Sequence, residues 1–267
     1  MNEVTLWMWT GFLLAAYSVI ANDSIQTLGT WIASNKKVNW KIMWAFAGSV
    51  LLFAIWYGWY AYDGSISYGR LNKIPFEGVE WYQALAPAVL LLLTRFGIPV
   101  STSFLVLSAF ASTVVLEKVL MKSMMGYCVA GVSAYIIWIA LTRLLDEGKD
   151  IKESNKVKWK IAQWVTTAFL WWTWLSHDMA NIAVFLPRQL SVDVMIIISI
   201  VFVGGLGWML QHRGGRIQKI VLEKKNTKYV RSATLIDLFY FVILYIFKEM
   251  NDIPMSTTWV FVGLLTG

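Results

Sequence analysis

Long apolar runs separated by short polar or charged interruptions dominate the chain. The first extends from about Thr5 to Trp31 with one charge, Asp23, and Lys36, Lys37 and Lys41 precede a second run to about Tyr62. Asp63 to Glu80 is polar and holds Gly64, Gly69, Pro75 and Gly78, a loop composition. A short third run, Trp81 to Thr94, ends at Arg95, and Gly97-Ile98-Pro99-Val100-Ser101-Thr102-Ser103 leads into apolar residues as far as Leu116. Met124 to Leu145 is the next span, followed by a mixed-charge connector from Asp146 to Lys160. Ile161 to Phe185, a Pro187-Arg188 break, Val192 to Leu210, a basic loop from Arg213 to Arg231 and Leu235 to Phe247 come after it. The chain closes with Ile253-Pro254-Met255-Ser256-Thr257-Thr258 and an apolar tail to Gly267. Runs of roughly 17–25 apolar residues cross a hydrocarbon core, and in lipid the backbone must satisfy its own hydrogen bonds. The pattern predicts an all-α integral membrane protein.

Composition removes the other classes. The 267 residues are 58% hydrophobic and 15% charged, with a mean hydropathy of +0.57, whereas a soluble domain carries about a quarter charged residues. A soluble enzyme or a secreted disulfide scaffold is excluded, and Cys128, the one cysteine, lies inside an apolar run. The net charge of +7 reads as Lys and Arg of cytoplasmic loops rather than as a nucleic-acid surface. Lys36, Lys37 and Lys41, the connector around Lys149 to Lys160 and the loop Arg213 to Arg231 are therefore expected inside, and Asp63 to Glu80 outside. Trp40, Trp56, Trp59, Trp81, Trp159 and Trp208 fall near run ends, where indole rings favour the headgroup level. The first twenty residues hold Glu3 and no Lys or Arg, the wrong start for a cleavable signal peptide. A plasma (inner) membrane location is expected.

The series of runs restarts midway. Asp23 and Asp178, Gln26 and Asn181, Pro99 and Pro254, Ser101 and Ser256, and Trp9 and Trp164 are each 155 positions apart. Separate motifs that keep one offset are an internal duplication, with residues 1–150 as one membrane repeat and 151–267 as the other. Many secondary transporters are built from such repeats, with discontinuous helices at the substrate site. Five passages, or their equivalent, are expected in the first repeat, an odd number that inverts the second.

Asp23 and Asp178 are the only acids in their long runs, and an intramembrane acid is expected to meet a partner or a wet cavity. Pairing with a Lys or Arg of a neighbouring helix is the structural alternative. Their duplication beside Asn22, Gln26, His177 and Asn181 favours a cation site, because carboxylate and amide oxygens are hard ligands that suit an ion such as Na⁺. The hydroxyl blocks Ser101-Thr102-Ser103 and Ser256-Thr257-Thr258 each follow a proline. They fit helix N-termini that offer N–H groups to an anion, or hydroxyls bonded back to their own helix. Carboxylates for a cation and helix ends for an anion suggest a symporter, not an enzyme; no catalytic residue is expected.

These blocks resemble the inorganic phosphate transporter (PiT) family, whose signatures are Gly-Ala-Asn-Asp-x-x-Asn, present twice, and Pro-Val-Ser-Thr-Thr-His. The resemblance rests on Asn22-Asp23, Asp178-Met179-Ala180-Asn181 and the two Pro-x-Ser-Thr blocks, spread over nearly the whole chain. It implies a cation-coupled phosphate symporter of two inverted repeats, with the substrate held between broken or re-entrant helices. By position it implies cation and phosphate coordination by Asn22, Asp23, Asp178 and Asn181. It further implies a phosphate site lined by Ser101, Thr102, Ser103, Ser256, Thr257 and Thr258. Asp23 and Asp178 are the expected Na⁺ ligands, with Gln26 and His177 beside them. No cofactor is expected beyond the transported phosphate and a coupling Na⁺ or H⁺; membrane lipid and a homodimer partner complete the expectation.

Several positions depart from the family pattern. Ile20 replaces a glycine, Gln26 an asparagine and His177 an asparagine; Ser103-Phe104 stands for Thr-His, and Trp259 for the second histidine. Gly267 corresponds to Ser112, so the second repeat is expected to be incomplete at the C-terminus, as in a fragment or a short member. Two rival functions follow: a permease for sulfate or another tetrahedral oxyanion, and a membrane phosphate sensor that does not transport. His212-Arg213-Gly214-Gly215-Arg216 lacks the Gly-Lys-Ser/Thr end of a phosphate loop. Two histidines in all argue against catalytic zinc.

Overall fold

A computed structural model of the chain describes residues 3–96, 101–144, 153–214, 230–250 and 256–266. Its regular structure is α1 (Glu3–Ser18), a π-helical turn (Val19–Asp23), α2 (Ser24–Ser34), α3 (Trp40–Ala61), α4 (Trp81–Arg95), α5 (Thr102–Leu107), α6 (Thr113–Leu144), α7 (Glu153–Asp178), α8 (Ala180–Ala183), α9 (Val192–Gln211), α10 (Val230–Met250) and α11 (Thr257–Thr266). No strand occurs among the described residues. Trp40–Ala61, Thr113–Ile136, Val192–Gln211 and Val230–Phe247 are long and apolar enough to cross a bilayer. The chain is an all-α integral membrane protein, as its hydropathy predicts.

The 155-residue offset reappears in the packing. The π-helical turn that ends at Asp23 matches the end of α7 at Asp178, and α5 and α11 begin at matching threonines, Thr102 and Thr257. α1 packs on α4 and α7 on α10, while α3 packs on α9. α2 and α7 run antiparallel, because Asn35 and Ser34 near the end of α2 bond Gln163 near the start of α7 (3.0 and 2.5 Å). The two broken helices thus traverse the molecule in opposite directions.

Some boundaries differ from the hydropathy reading. The apolar arm expected to reach Leu116 ends at Leu107, and one helix then runs from Thr113 through Glu117, Lys118 and Lys122 to Leu144. Lys122 is buried where α6 meets its neighbours, so charge alone did not end the helix. The loop of residues 63–80 is not a free surface segment. Arg70 Nε donates to the Ser176 carbonyl (2.9 Å), Leu190 N–H donates to the Gly64 carbonyl (2.9 Å), and Arg188 bridges the Ile74 carbonyl to those of Ala183, Val184 and Leu186. Arg188 so satisfies carbonyls that the end of a helix leaves open. Ser67 is buried in this loop, whereas Lys73 and Glu77 are exposed. Asn226 and the rest of 215–229, and residues 145–152 of the connector, lie outside the described residues.

Trp56 and Trp59 are partly buried and have partners within the fold. Their indole N–H groups donate to Ser199 Oγ (3.1 Å) and the Leu190 carbonyl (2.8 Å), stitching α3 to α9 and the segment before it, since a buried indole N–H needs an acceptor. Trp81 and Trp208 are half exposed. Close backbone approach depends on small residues, as in other membrane bundles. A Cβ on Gly263 would lie 2.7 Å from the Tyr127 carbonyl oxygen and 2.9 Å from Ala130 Cβ, so α11 sits directly against α6.

Candidate functional site

Two helix interruptions create the site. At the first, the π-helical turn Val19–Asp23 shifts the register; Ser24 Oγ donates to the Ile20 carbonyl (2.5 Å). Such π-turns recur at functional sites. Gly205 of α9 is what lets a neighbour approach here, because a Cβ on it would meet Ile20 Cδ1 at 2.6 Å. At the second, α7 ends at Asp178 and Met179 forms a turn before the four-residue α8. Pro187 stands just past this stretch and disfavours helical backbone at the preceding residue.

The starts of α5 and α11 are built alike. Ser101 Oγ accepts from Phe104 N–H and Ser256 Oγ accepts from Trp259 N–H, both at 3.3 Å, so each serine caps its own helix. Ser256 N–H in turn donates to Ser123 Oγ of α6 (2.8 Å). The prolines before them, Pro99 and Pro254, lie outside the described residues. Ser101 and Ser256 therefore mark the N-termini of α5 and α11.

The next hydroxyl in each block reaches a carboxylate. Thr102 Oγ1 donates to Asp23 Oδ2 (2.5 Å) and Thr257 Oγ1 donates to Asp178 Oδ2 (2.7 Å), two contacts related by the repeat offset. Asn22 Nδ2 donates to Asp23 Oδ1 (2.7 Å). Asn181 Nδ2 bridges Ser103 Oγ (3.1 Å) and Asp178 Oδ1 (3.4 Å). Adjacent residues of α5 thus reach both halves of the chain, Thr102 touching Asp23 and Ser103 touching Asn181. All twelve residues singled out from the sequence are buried, none more than 7% exposed.

Three of them leave oxygens open. Asn22 Oδ1, Gln26 Oε1 and Asn181 Oδ1 are buried and accept no hydrogen bond among the described residues. An unsatisfied buried acceptor costs about 1–3 kcal/mol, and amide oxygens on residues neighbouring Asp23 and Asp178 are of the type that could hold a hard cation. Gln26 shares a helix face with Asn22 and Asp23, at i+4 and i+3. Neither Gln26 nor Thr258 hydrogen-bonds another of the twelve. His177 turns toward α10, with Nε2 2.9 Å from the Leu244 carbonyl oxygen and 3.5 Å from Arg70 Nη2. Because a carbonyl only accepts, Nε2 carries hydrogen there.

Sequence reasoning missed Arg70, Asp237 and Tyr240. Arg70 is 3% exposed, yet nothing in a polar loop distinguishes it before folding. Asp237 carried the same signal as Asp23, an acid inside an apolar run; Thr30 and Thr167 hydroxyls donate to its two oxygens. Tyr240 donates to the Thr257 carbonyl (3.0 Å) and is seen only in three dimensions.

No family model matches the sequence, and no curated protein matches it. Among solved structures, one described as "The sodium-dependent phosphate transporter" is similar with a TM-score of 0.63 and 17% identity, over 99% of this chain and 88% of that one. At this identity the likeness concerns the fold: this chain folds as that transporter does.

Proposed function

We propose that the protein is a secondary transporter that moves inorganic phosphate together with Na⁺, built from two inverted repeats. The single observation that carries the reading is the paired threonine–carboxylate contact flanked by three buried amide oxygens without donors. The opposite directions of the two broken helices support the inversion, and the similar transporter structure supports the substrate.

The contacts suggest how the two solutes are coupled. A hydroxyl that donates to a carboxylate has no proton left for an anion. When Na⁺ binds Asp23 or Asp178, it takes the carboxylate charge and can accept the threonine oxygen as a further ligand. The O–H of Thr102 or Thr257 is then released toward phosphate, joined by Ser103 and Thr258. Phosphate therefore binds well only after the cation, the coupling a symporter requires. Asn22, Gln26 and Asn181 complete the cation shell with their open oxygens.

The deciding experiment is uptake of ³²P-phosphate into proteoliposomes holding the purified chain. An inward Na⁺ gradient should drive accumulation above equilibrium, and replacement of Na⁺ by choline should abolish it. Saturable phosphate binding with no Na⁺-dependent accumulation would reject transport and favour a sensor.

A further inference from the structure

An apolar groove lies on the outer face of the α3–α7 pair, toward the start of α7 and away from the central carboxylates. Its volume is about 480 Å³, and Phe46 of α3 lines it with Ile161, Trp164, Val165, Ala168 and Phe169 of α7. Lys160 is the one charged residue of the lining. Ile161, Val165 and Phe169 are exposed, so the groove opens outward to the bilayer. One wall is fixed by ring contacts. Phe46 and Trp164 have centroids 4.7 Å apart, and both pack on the fully buried Trp31 of α2, at 5.3 and 5.1 Å. Trp164 is held further by its indole N–H, which donates to Asn35 Oδ1 (3.3 Å). Ala168 has the smallest side chain of the lining.

Length and charge define what fits. From Lys160 to Phe169 the helix rises about 14 Å at 1.5 Å per residue, close to half of a hydrocarbon core roughly 30 Å thick. The groove therefore has the length of one leaflet, with charge at one end only. Lys160 is exposed and has no hydrogen bond or ion pair among the described residues. Asn35 and Ser34 bond Gln163, one turn from Lys160 (3.0 and 2.5 Å), which brings exposed Lys36 and Lys37 to the same end. The acid Glu153 precedes Lys160 by seven residues, about 10 Å further out along α7. This basic end is the one that the distribution of Lys and Arg assigns to the cytoplasmic side, where anionic lipids give the leaflet its negative surface potential.

We propose that this groove seats one anionic phospholipid of the inner leaflet, with an acyl chain against Ile161, Val165 and Phe169 and the headgroup phosphate at Lys160. A lone lysine reaching the headgroup level would serve any lipid. Lys160 with Lys36 and Lys37 at the mouth of an apolar groove selects for net negative charge as well as for a chain. Phe46 and the α7 residues come from opposite halves of the sequence, so the lipid ties the two halves together from outside. The seat rests on the membrane class of the chain and not on the transport reading.

The test is native mass spectrometry of the purified full chain in mild detergent, titrated with phosphatidylglycerol or with phosphatidylcholine of the same acyl chains. Wild type should hold one phosphatidylglycerol about tenfold more tightly than the choline lipid. Lys160→Gln should cut that preference about fivefold, the effect of one lysine at an anionic headgroup. Ala168→Phe, which fills the groove, should remove the tight phosphatidylglycerol and leave the weak binding of both lipids. Millimolar inorganic phosphate should not displace the lipid, because it has no chain for the groove. Equal affinity of wild type for the two lipids, a preference unchanged in Lys160→Gln, or displacement by inorganic phosphate overturns the proposal. The same spectra read the oligomeric state: a wild-type dimer that becomes a monomer in Ala168→Phe gives the groove to a second copy of the chain and overturns the lipid seat. Circular dichroism establishes folding, and if Ala168→Phe does not fold, Lys160→Gln decides.

Discussion

Removal of the Thr257 hydroxyl separates a switch from a simple clamp. Valine has nearly the shape of threonine, so Thr257→Val leaves the packing of α11 and its Ser256 cap in place and deletes only the donor at 2.7 Å from Asp178 Oδ2. A hydrogen bond to a charged group is worth about 1.5–3 kcal/mol, which at about 1.4 kcal/mol per decade is roughly a ten- to hundred-fold change in affinity. If the hydroxyl first serves Asp178 and then, with Na⁺ bound, serves phosphate, two constants move. Half-saturation by Na⁺ rises because a cation ligand is lost, and the phosphate dissociation constant at saturating Na⁺ rises because a donor to the anion is lost. Thr257→Ser, which keeps the O–H, should shift neither by a comparable factor. The assay is Na⁺-dependent ³²P-phosphate binding over a matrix of both concentrations. A valine variant that raises only the Na⁺ constant, with wild-type phosphate affinity at saturating Na⁺, refutes the switch: the hydroxyl then serves the carboxylate alone.

The other expectations are independent of that one. Asp23→Asn and Asp178→Asn should each abolish Na⁺-driven accumulation in proteoliposomes while the protein still elutes as a folded species; retained accumulation in either would remove that acid from the cation site. Arg188→Ala should free the 63–80 loop from the break after α8, seen as faster tryptic cleavage at exposed Lys73; equal cleavage rates would contradict the staple. Gly263→Ala should lower the thermal midpoint by overpacking α6 against α11, at about 1–3 kcal/mol for an inserted carbon, and an unchanged midpoint would deny the close contact. For His177→Asn, Na⁺-driven uptake should follow the wild-type pH profile between roughly pH 5.5 and 8, where an imidazole titrates. Diverging profiles would instead make His177 a proton-coupled group.

Legibility from the sequence followed physical scale. Transmembrane helices and the offset of 155 were readable because each is a property of the chain itself: run length, interruption and recurrence. Asp23, Asp178 and the hydroxyl blocks were readable because an acid or a triple hydroxyl in an apolar run is costly and so has a reason. The division of labour among the hydroxyls was not. Ser101 and Thr102 are neighbours of the same chemistry, and only the start of α5 between them turns one back to Phe104 N–H and the other out to Asp23. Arg70 escaped for the opposite reason: charge in a polar loop is unremarkable until the loop folds over Ser176. Asp237 obeyed the rule that exposed Asp23 but had no repeat partner, since position 82 is a tyrosine, and duplication had been the filter.

The departures at residues 104 and 259 illustrate the same limit from another side. Read along the chain, Phe104 and Trp259 are two separate departures from the pattern the sequence resembles, each placing an aromatic ring after a hydroxyl block where that pattern has histidine. In the fold their rings lie 5.2 Å apart, and each residue donates its backbone N–H to the serine that caps its own helix. The two replacements are therefore one change: where α5 and α11 face each other, the helix starts are joined by an aromatic contact. Such a pair contributes about 0.5–1.5 kcal/mol beyond its burial and offers the site no titrating group. Hydrogen-bonding duty beside the carboxylates then falls on Thr102, Ser103 and Thr257, while Asn22 and Asn181 supply amides on either side. On the proposed transporter reading, cation and anion selectivity would arise from hydroxyl and amide geometry around Asp23 and Asp178, which is why the threonine substitutions test that reading more directly than any change at the aromatic pair.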